Sequence, residues 1–110
     1  MLSKGLEECV CAYPMAAWTK LEDKMNDLSV FDSKSRNFMR RFFSGSGECE
    51  IDRQGRTLIN QAFRSFGKLE KEVYIIGAGD HLEIWDKGKW EQYRGGLDDD
   101  FPAIAEEILK

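Results

Sequence analysis

Histidine and cysteine, the residues that most often bind transition metals, are scarce in this sequence. There is one histidine, His81, and an odd number of cysteines, Cys9, Cys11 and Cys49. An odd number of cysteines in a chain without a secretion signal indicates reduced thiols. The Cys9-x-Cys11 spacing is too close for common zinc motifs, and all three cysteines lie in strand-like patterns, where cysteine acts as a small hydrophobe. We therefore expect no metal site, no catalytic thiol and no cofactor.

Long hydrophobic runs are also absent. No stretch approaches the length of a membrane-spanning helix, and residues 1–5 contain no apolar signal-peptide region. Of the 110 residues, 42% are hydrophobic and 33% charged, which is typical of one soluble globular domain with a modest core. The sequence therefore predicts a cytoplasmic protein with no membrane partner, and no small-molecule ligand is evident.

The excess of acidic residues is unevenly distributed along the chain. Residues 32–71 carry nine basic and five acidic side chains, and the remaining residues carry seven basic and fifteen acidic ones. A chain with one basic region can present it to DNA even though its net charge is −4. Counts over such a window also vary by a few units by chance, so the asymmetry only supports a DNA-binding interpretation.

The most informative stretch is residues 48–66, which predicts a strand, a tight turn, a second strand and a short helix. Asp52 at the first turn position and Gly55 at the fourth favour a type I turn, with positive φ at Gly55 and a bulge. The two residues between them then lie at an exposed tip, and Arg56 lies on the outgoing strand. Guanidinium groups beside a rigid turn can reach a phosphate or a base edge at little ordering cost. An ordinary charged hairpin is the alternative.

Two helices are predicted in the first half, after a short strand over residues 8–13. Pro14 suits the first position of a helix that runs to about residue 28, because its missing N–H would be unpaired there anyway. Asp32 or Ser33 caps the second helix, which ends at the Ser–Gly stretch of residues 44–47. The predicted buried side chains follow helical spacing: Trp18, Leu21, Met25 and Leu28, then Phe38, Phe42 and Phe43.

The second half also alternates strands and helices. A short helix is predicted over residues 61–66, with Gly67 ending it, and two strands follow, a buried one over 72–77 and another over 82–85. A helix over residues 87–93 is broken by Gly95 and Gly96. The last predicted helix covers residues 101–109 and is preceded by Asp98, Asp99 and Asp100, whose charges suit the N-terminal end of a helix.

A shift of 72 residues superimposes two similar stretches of the chain. Residues 10–13 then lie on residues 82–85, and Trp18 lies on Trp90. Each stretch is a strand whose aromatic end leads into a helix with a tryptophan, as expected of an internal repeat. Because only three positions match well, chance similarity is the alternative. Only the second copy has a hairpin before it, so we expect an N-terminally shortened chain or a second chain that supplies the missing strands.

Four motifs in one order carry a resemblance. They are Tyr13-Pro14-Met15-x-x-Trp18, Arg36-x5-Phe42-Phe43-Ser44-Gly45, Glu48-Cys49-Glu50-x-Asp52-x-x-Gly55-Arg56, and Glu83-Ile84-Trp85-x4-Trp90. Together they cover essentially the whole chain, and they resemble the MraZ family of bacterial transcriptional regulators, which has two tandem AbrB-like (SpoVT-AbrB) domains. The resemblance implies an α+β fold, an AbrB-like swapped-hairpin β-barrel with peripheral helices that lacks its first hairpin. Residues 1–45 would be the remnant of the first repeat, and residues 46–110 the second repeat with its C-terminal helices.

The resemblance also implies a function. A ring-like homo-oligomer, associated with the nucleoid, would bind double-stranded DNA at repeats in the promoter of the division and cell-wall gene cluster. The implied DNA-binding residues are those of the second Asp-x-x-x-Arg motif: Asp52, Arg53, Gln54, Gly55 and Arg56. The first such motif is absent here. Asn60 stands where the family commonly has proline, but asparagine is a good N-cap, so the following helix is expected to survive.

Two other function classes compete with this interpretation. An AbrB-like antitoxin would be a protein-interaction module, but it needs a disordered tail, whereas the C-terminal helix predicted here is short and patterned. An enzyme has less support, because we recognise no His–carboxylate or nucleophile–base arrangement in the sequence. The basic residues Arg36, Arg40 and Arg41 share one predicted helix, for which we favour contacts with acidic regions of a neighbouring subunit over simple solvation.

Overall fold

Short stretches near both ends of the chain pair into one sheet. The computed structural model describes residues 1–109, which form an α+β fold with one four-stranded antiparallel sheet and five helices. The strands are β1 (Leu2–Lys4), β2 (Val10–Ala12), β3 (Val73–Gly77) and β4 (Leu82–Asp86), in the spatial order β1-β2-β4-β3. The helices are α1 (Met15–Asn26), α2 (Ser33–Ser44), α3 (Gln61–Gly67), α4 (Lys87–Asp98) and α5 (Phe101–Ile108). The predicted α+β class is confirmed, and the sheet of this one chain is open.

The first three helices begin where the sequence supplies a suitable first residue. Pro14 has extended backbone angles and is the residue just before α1. The helix therefore begins at Met15, one residue later than predicted. Asp32 accepts a hydrogen bond from the backbone N–H of Lys34 at 3.2 Å, and Asn60 accepts one from that of Phe63 at 3.1 Å. These bonds satisfy N–H groups that the first turn of a helix leaves unpaired. Among residues 1–109, no helix has both the length and the apolarity needed to cross a bilayer.

The two faces of the sheet carry separate hydrophobic clusters, because successive strand residues point to opposite sides. Val10 and Ile84 lie opposite each other in β2 and β4 and pack with Phe63 of α3 on one face. On the other face, Trp85 packs against Trp90 of α4, with ring centroids 5.3 Å apart. The sheet is therefore held between α3 and α4.

A third cluster joins α1 to α2. Trp18 and Met25 of α1 are buried with Phe42 of α2, and the rings of Trp18 and Phe42 stack at 5.4 Å. Leu21, Leu28 and Phe43 pack against these residues, so the predicted apolar faces are confirmed. Phe38 is the exception, because it stacks on Phe42 at 6.1 Å but stays 38% exposed.

The strand predicted to be buried over residues 72–77 lies at the edge of the sheet. β3 pairs only with β4, and Val73, Tyr74 and Ile75 are exposed. An apolar run fits an edge strand as well as a central one, since hydrophobicity alone does not reveal how many neighbours a strand has. The prediction of burial is therefore wrong for this chain.

The two strands predicted around the central turn do not form a ladder. Residues 48–59, here called the arm, contain no strand and apart from the turn at 53–55 have no regular secondary structure, and an isolated bridge joins Leu2 to Gly47 just before them. Ile51 is 71% exposed and Leu58 is 84% exposed. The apolar alternation is present in the sequence, but within this chain it has no sheet to join.

Three glycines do not end helices as predicted. α4 continues through Gly95 and Gly96, because glycine weakens a helix without forbidding helical backbone angles. Gly67 lies inside α3, where an added Cβ would approach the side chains of Leu69 at 3.3 Å and Val10 at 3.5 Å. The left-handed residue that follows α3 is Lys68, with φ 51°. Gly67 therefore serves close packing rather than chain reversal.

The central strands β2 and β4 and the helices that follow them, α1 and α4, correspond to each other under the 72-residue shift. α1 and α4 both start and end that distance apart. In the β2–β4 pair, Val10 faces Ile84, Cys11 faces Glu83 and Ala12 faces Leu82, so the pairing is symmetric about Cys11 and Glu83. Strands from both predicted repeats share this sheet. The division into domains at residue 45 stays a prediction.

Replacing Gly95 by alanine should stabilise the protein by about 0.5–1 kcal/mol, because α4 is helical there and no atom lies within 4 Å of the new Cβ. The matched control is Gly55→Ala, which should cost about 1–2 kcal/mol because Gly55 has φ +78°. Urea unfolding at one fixed protein concentration measures both. A destabilising Gly95→Ala would mean that the helix breaks at the glycines.

Candidate nucleic-acid interface

The predicted turn is present at residues 52–56. The N–H of Gly55 donates to the carbonyl of Asp52 at 3.0 Å, and the N–H of Asp52 donates to the carbonyl of Arg56 at 2.8 Å. Gly55 has the positive φ, 78°, that the sequence predicts. Two backbone hydrogen bonds therefore close the turn although the arm on either side of it is not part of a sheet.

The carboxylate of Asp52 organises the interior of this turn. Oδ1 accepts hydrogen bonds from the backbone N–H groups of Gln54 at 2.9 Å and Arg56 at 2.8 Å, and Oδ2 accepts one from Arg56 Nε at 3.3 Å. The Arg56 N–H is the main cause that holds the pKa of Asp52 below its usual range, and the Gln54 N–H and the Arg56 guanidinium add to it. Asp52 is therefore a charged acceptor at neutral pH, and it fixes Arg56 at both backbone and side chain.

The guanidinium of Arg56 is oriented but accessible. Nη2 donates to the side-chain oxygen of Gln54 while Nε faces Asp52, and the Arg56 side chain is 74% exposed. A guanidinium has five N–H donors, so these two contacts leave others for a ligand. Arg53 is also exposed at the tip. The turn thus presents two cations, one of them held in place by its neighbours.

The basic residues of α2 contact their own surroundings. Arg36 Nη1 donates to the carbonyl of Val30 at 2.7 Å, and Arg40 Nη1 donates to Asn37 Oδ1 at 3.3 Å. The Arg41 guanidinium lies over the Phe66 ring at 5.5 Å, which links α2 to α3. Contact of these arginines with a neighbouring subunit stays a prediction.

A second group of polar side chains lies on the sheet face opposite α3. The Sγ atoms of Cys9 and Cys11 and a carboxylate oxygen of Glu83 lie within 4.8 Å of one another. The hydrogen bond that Cys9 donates to Cys11, followed by burial, raises the pKa of Cys9. His81 Nδ1 is 3.0 Å from Asp80 Oδ1, and its Nε2 is 3.8 Å from Glu83 Oε2.

The sequence pattern does not predict this cluster. Contrary to the expectation that the chain has no His–carboxylate arrangement, His81 lies between two carboxylates. The Cys9-x-Cys11 spacing alone does not reveal Glu83, which comes from the other end of the chain. Two features of the sequence point to it: alternation in the predicted strand over residues 8–13 puts both thiols on one face, and the 72-residue shift carries Cys11 onto Glu83.

Comparison with known proteins shows one family. The family model described as "MraZ protein, putative antitoxin-like" matches residues 42–110. A protein of Acetivibrio thermocellus named "Transcriptional regulator MraZ" is 45% identical over 108 residues, which are 98% of this chain and 76% of that protein. Proteins of the same name from Moorella thermoacetica and Pelotomaculum thermopropionicum are 39% and 45% identical over 109 residues, or 99% of this chain and 76% and 75% of theirs.

The turn should loosen at acidic pH. The pKa of Asp52 is lower in the folded than in the unfolded protein. Its contribution to the stability of the turn is therefore complete above the unfolded-state pKa, and it is lost as the pH falls through the folded-state pKa. The amide chemical shifts of Gln54 and Arg56, followed by NMR, should therefore titrate with a midpoint below that of an ordinary aspartate.

Two variants separate the causes of this shift. Arg56→Gln keeps the backbone N–H, so the midpoint should rise only part of the way to the ordinary value. Asp52→Asn should abolish the transition at both amides. A wild-type midpoint at or above that of a free aspartate would contradict the hydrogen-bonded turn.

Proposed function

The chain belongs to the MraZ family, and on that premise we propose that it is a sequence-specific DNA-binding transcriptional regulator. Its partner is double-stranded DNA with repeated sites in the promoter of the division and cell-wall gene cluster. It acts in the cytoplasm, associated with the nucleoid, as a ring-like homo-oligomer. The proposal includes no enzymatic step.

The observation that carries the proposal is the exposed turn whose geometry is fixed by its own side chains. A cation that is already oriented loses little conformational freedom when it meets a ligand. Asp52 accepts hydrogen bonds from two backbone N–H groups and from the guanidinium of Arg56, so Arg56 is positioned before DNA binds. All residues of the turn are exposed, which contact with a DNA groove requires.

The chemistry of the turn suits the DNA surface. Arg53 and Arg56 contact phosphates or the O6 and N7 acceptors of guanine, and a bidentate guanine contact gives about 1–3 kcal/mol of base discrimination. Gln54 and Gly55 complete the contacting tip, with Gly55 allowing close approach of backbone to DNA. Asp52 itself repels phosphate, and its role is to orient the side chain of Arg56, with which it forms an ion pair.

One turn alone binds too weakly for a promoter site. Each phosphate contact contributes modestly and is lost as salt rises, because binding is driven by release of counterions. A ring presents several copies of the turn to repeated DNA sites, so that later contacts form at high effective concentration. The excess of basic residues over 32–71 supports this electrostatic part of binding.

Exposed apolar groups support the proposal that copies of the chain assemble. Ile51 and Leu58 lie bare on either side of the turn, and β3 has an open edge with Ile75 64% exposed. An open strand edge invites strand pairing with another chain. We propose that the arm of each copy pairs there in an AbrB-like swapped-hairpin barrel, with residues 1–45 and 46–110 as its two repeats.

An antitoxin-like protein-interaction module is the second candidate. It is favoured by α5, whose Phe101 and Ile108 are 68% and 72% exposed and offer an apolar face to a partner. Filter binding over a salt series separates the two. A regulator binds the promoter fragment far more tightly than unrelated DNA at every salt concentration, whereas an interaction module shows no such preference.

Arg56→Ala should lower the affinity for the promoter fragment at least about fivefold, because one oriented guanine contact contributes about 1–3 kcal/mol. Arg94→Ala is the matched control, since Arg94 is also exposed and also pairs with an aspartate four residues away. Gel-shift titration measures both variants at the same salt concentration. An unchanged midpoint for Arg56→Ala, with the oligomer intact, would remove Arg56 from the mechanism.

Arg40→Glu tests the other basic surface. If α2 contacts acidic regions of a neighbouring subunit, reversing this charge should lower the mass measured by light scattering before it changes DNA affinity. Lys20→Glu, an exposed charge reversal on α1, is the control for a general charge effect. Loss of DNA affinity at unchanged mass would instead assign Arg40 to the DNA surface.

A further inference from the structure

Three polar side chains form a row across the sheet. Ser3 of β1 lies opposite Cys11 of β2, and Cys11 lies opposite Glu83 of β4. Side chains at directly opposite positions share one face. Cys9, in the loop just before β2, is buried in the same cluster as Cys11 and Trp85 on that face. Two thiols, a carboxylate and a hydroxyl from both ends of the chain are therefore collected there.

The spacing of these groups matches that of ligands around one metal ion. The two Sγ atoms and a Glu83 oxygen lie within 4.8 Å of one another. Bond lengths of about 2.3 Å to sulfur and 2.0–2.2 Å to oxygen place the ligands of a tetrahedral zinc ion about 3.5–3.8 Å apart. Small side-chain rotations are enough to bring the three atoms to that distance. Cys9 and Cys11 are 1% and 6% exposed, so the ion would be largely shielded from water.

His81 is oriented as metal-bound histidines are. Its Nδ1 is 3.0 Å from Asp80 Oδ1, which directs the other ring nitrogen, Nε2, toward Glu83 Oε2 at 3.8 Å. The ring also stacks on Tyr13 with centroids 4.6 Å apart. A carboxylate behind a histidine fixes the tautomer and raises the basicity of the ligating nitrogen. The group within 4.8 Å contains Cys9, Cys11 and Glu83 but not His81, so His81 would become a fourth ligand when its ring moves from beside Glu83 toward the thiols.

The surroundings leave room beside these ligands. A cavity of about 220 Å³ is lined by Ser3, Cys11, Tyr13, Phe42, His81 and Glu83 among others. Ser3 is 1% exposed, and its hydroxyl has no hydrogen-bond partner among residues 1–109. A buried hydroxyl without a partner is rare and points to a ligand or ordered water at that position.

Gly5 keeps the thiols free of crowding. A Cβ at this position would lie 2.7 Å from the Sγ of Cys9 and 3.3 Å from that of Cys11. Any other residue would displace at least one sulfur atom from the cluster. The loop between β1 and β2 is thus compatible with both sulfurs serving the same ion.

We propose that this chain binds a zinc-like divalent ion through Cys9, Cys11 and Glu83, with the neighbouring His81 moving in as the fourth ligand when the ion binds. Two sulfurs, one imidazole nitrogen and one carboxylate oxygen form a mixed set that suits a borderline-soft, tetrahedral ion better than magnesium or calcium, which prefer oxygen. Glu83 Oε1 accepts the Trp85 indole N–H at 3.0 Å, which leaves Oε2 for the ion. The bound ion would fasten β2 to β4, a structural role independent of DNA contact.

The first test is a titration of the reduced, metal-free protein with Co²⁺, followed by competition with Zn²⁺. A thiolate-to-cobalt charge-transfer absorption that saturates at one ion per chain and disappears on adding Zn²⁺ is the expected result. Cys49→Ser is the matched control, because Cys49 packs on the other face of the sheet and should leave the absorption unchanged.

Single variants then assign the ligands. Cys9→Ser and Cys11→Ser should each remove most of the charge-transfer absorption, and Glu83→Gln, at a half-buried position, should weaken Co²⁺ binding while keeping it. Asp80→Asn should lower the affinity about 10- to 100-fold, as expected for a residue that orients a ligand. Circular dichroism confirms that each variant is folded.

Three outcomes would overturn the proposal. They are no charge-transfer absorption in the wild-type protein, binding that does not saturate, and an absorption that Cys49→Ser removes as fully as Cys11→Ser does. The wild-type titration decides the matter even if a buried cysteine variant fails to fold.

Discussion

The pairing of β2 with β4 is the contact on which the rest of the molecule depends. These short strands come from opposite ends of the chain, and their side chains form the core on both faces of the sheet, with Val10 and Ile84 on one side and Trp85 on the other. α3 and α4 have little surface of their own to bury without them. The arm is fixed at one end by the bridge from Leu2 to Gly47 and at the other by α3, so its position also follows from this sheet.

Features set by a few adjacent residues could be predicted from the sequence. The turn at 52–56 follows from a carboxylate at its first position and glycine at its fourth, and the structure has the positive φ and the hydrogen bonds that these residues favour. The caps at Asp32 and Asn60 likewise depend on one side chain and the next three N–H groups. The same holds for the apolar stripe of α1, which needs only helical spacing.

Features that depend on distant partners could not be predicted in this way. An apolar run such as residues 72–77 reads the same in a central strand and at a sheet edge, because the number of neighbours is decided elsewhere in the chain. The arm has the alternation of a strand but no strand partner among residues 1–109. Gly95 and Gly96 carry a propensity cost of about 1 kcal/mol each, yet α4, whose Trp90 and Tyr93 pack against Trp85, continues through them to Asp98.

The proposed metal site lies where the two similar stretches meet. A shift of 72 residues carries Cys11 onto Glu83, and these two residues face each other at the centre of the β2–β4 pairing. If both copies kept the same residue there, two thiols or two carboxylates would face each other, and two close carboxylates repel. One thiol and one carboxylate instead form a mixed pair suited to a cation. The difference between the copies at this one symmetric position therefore avoids that repulsion and supplies two of the proposed ligands, while the turn at residues 52–56 lies outside both similar stretches.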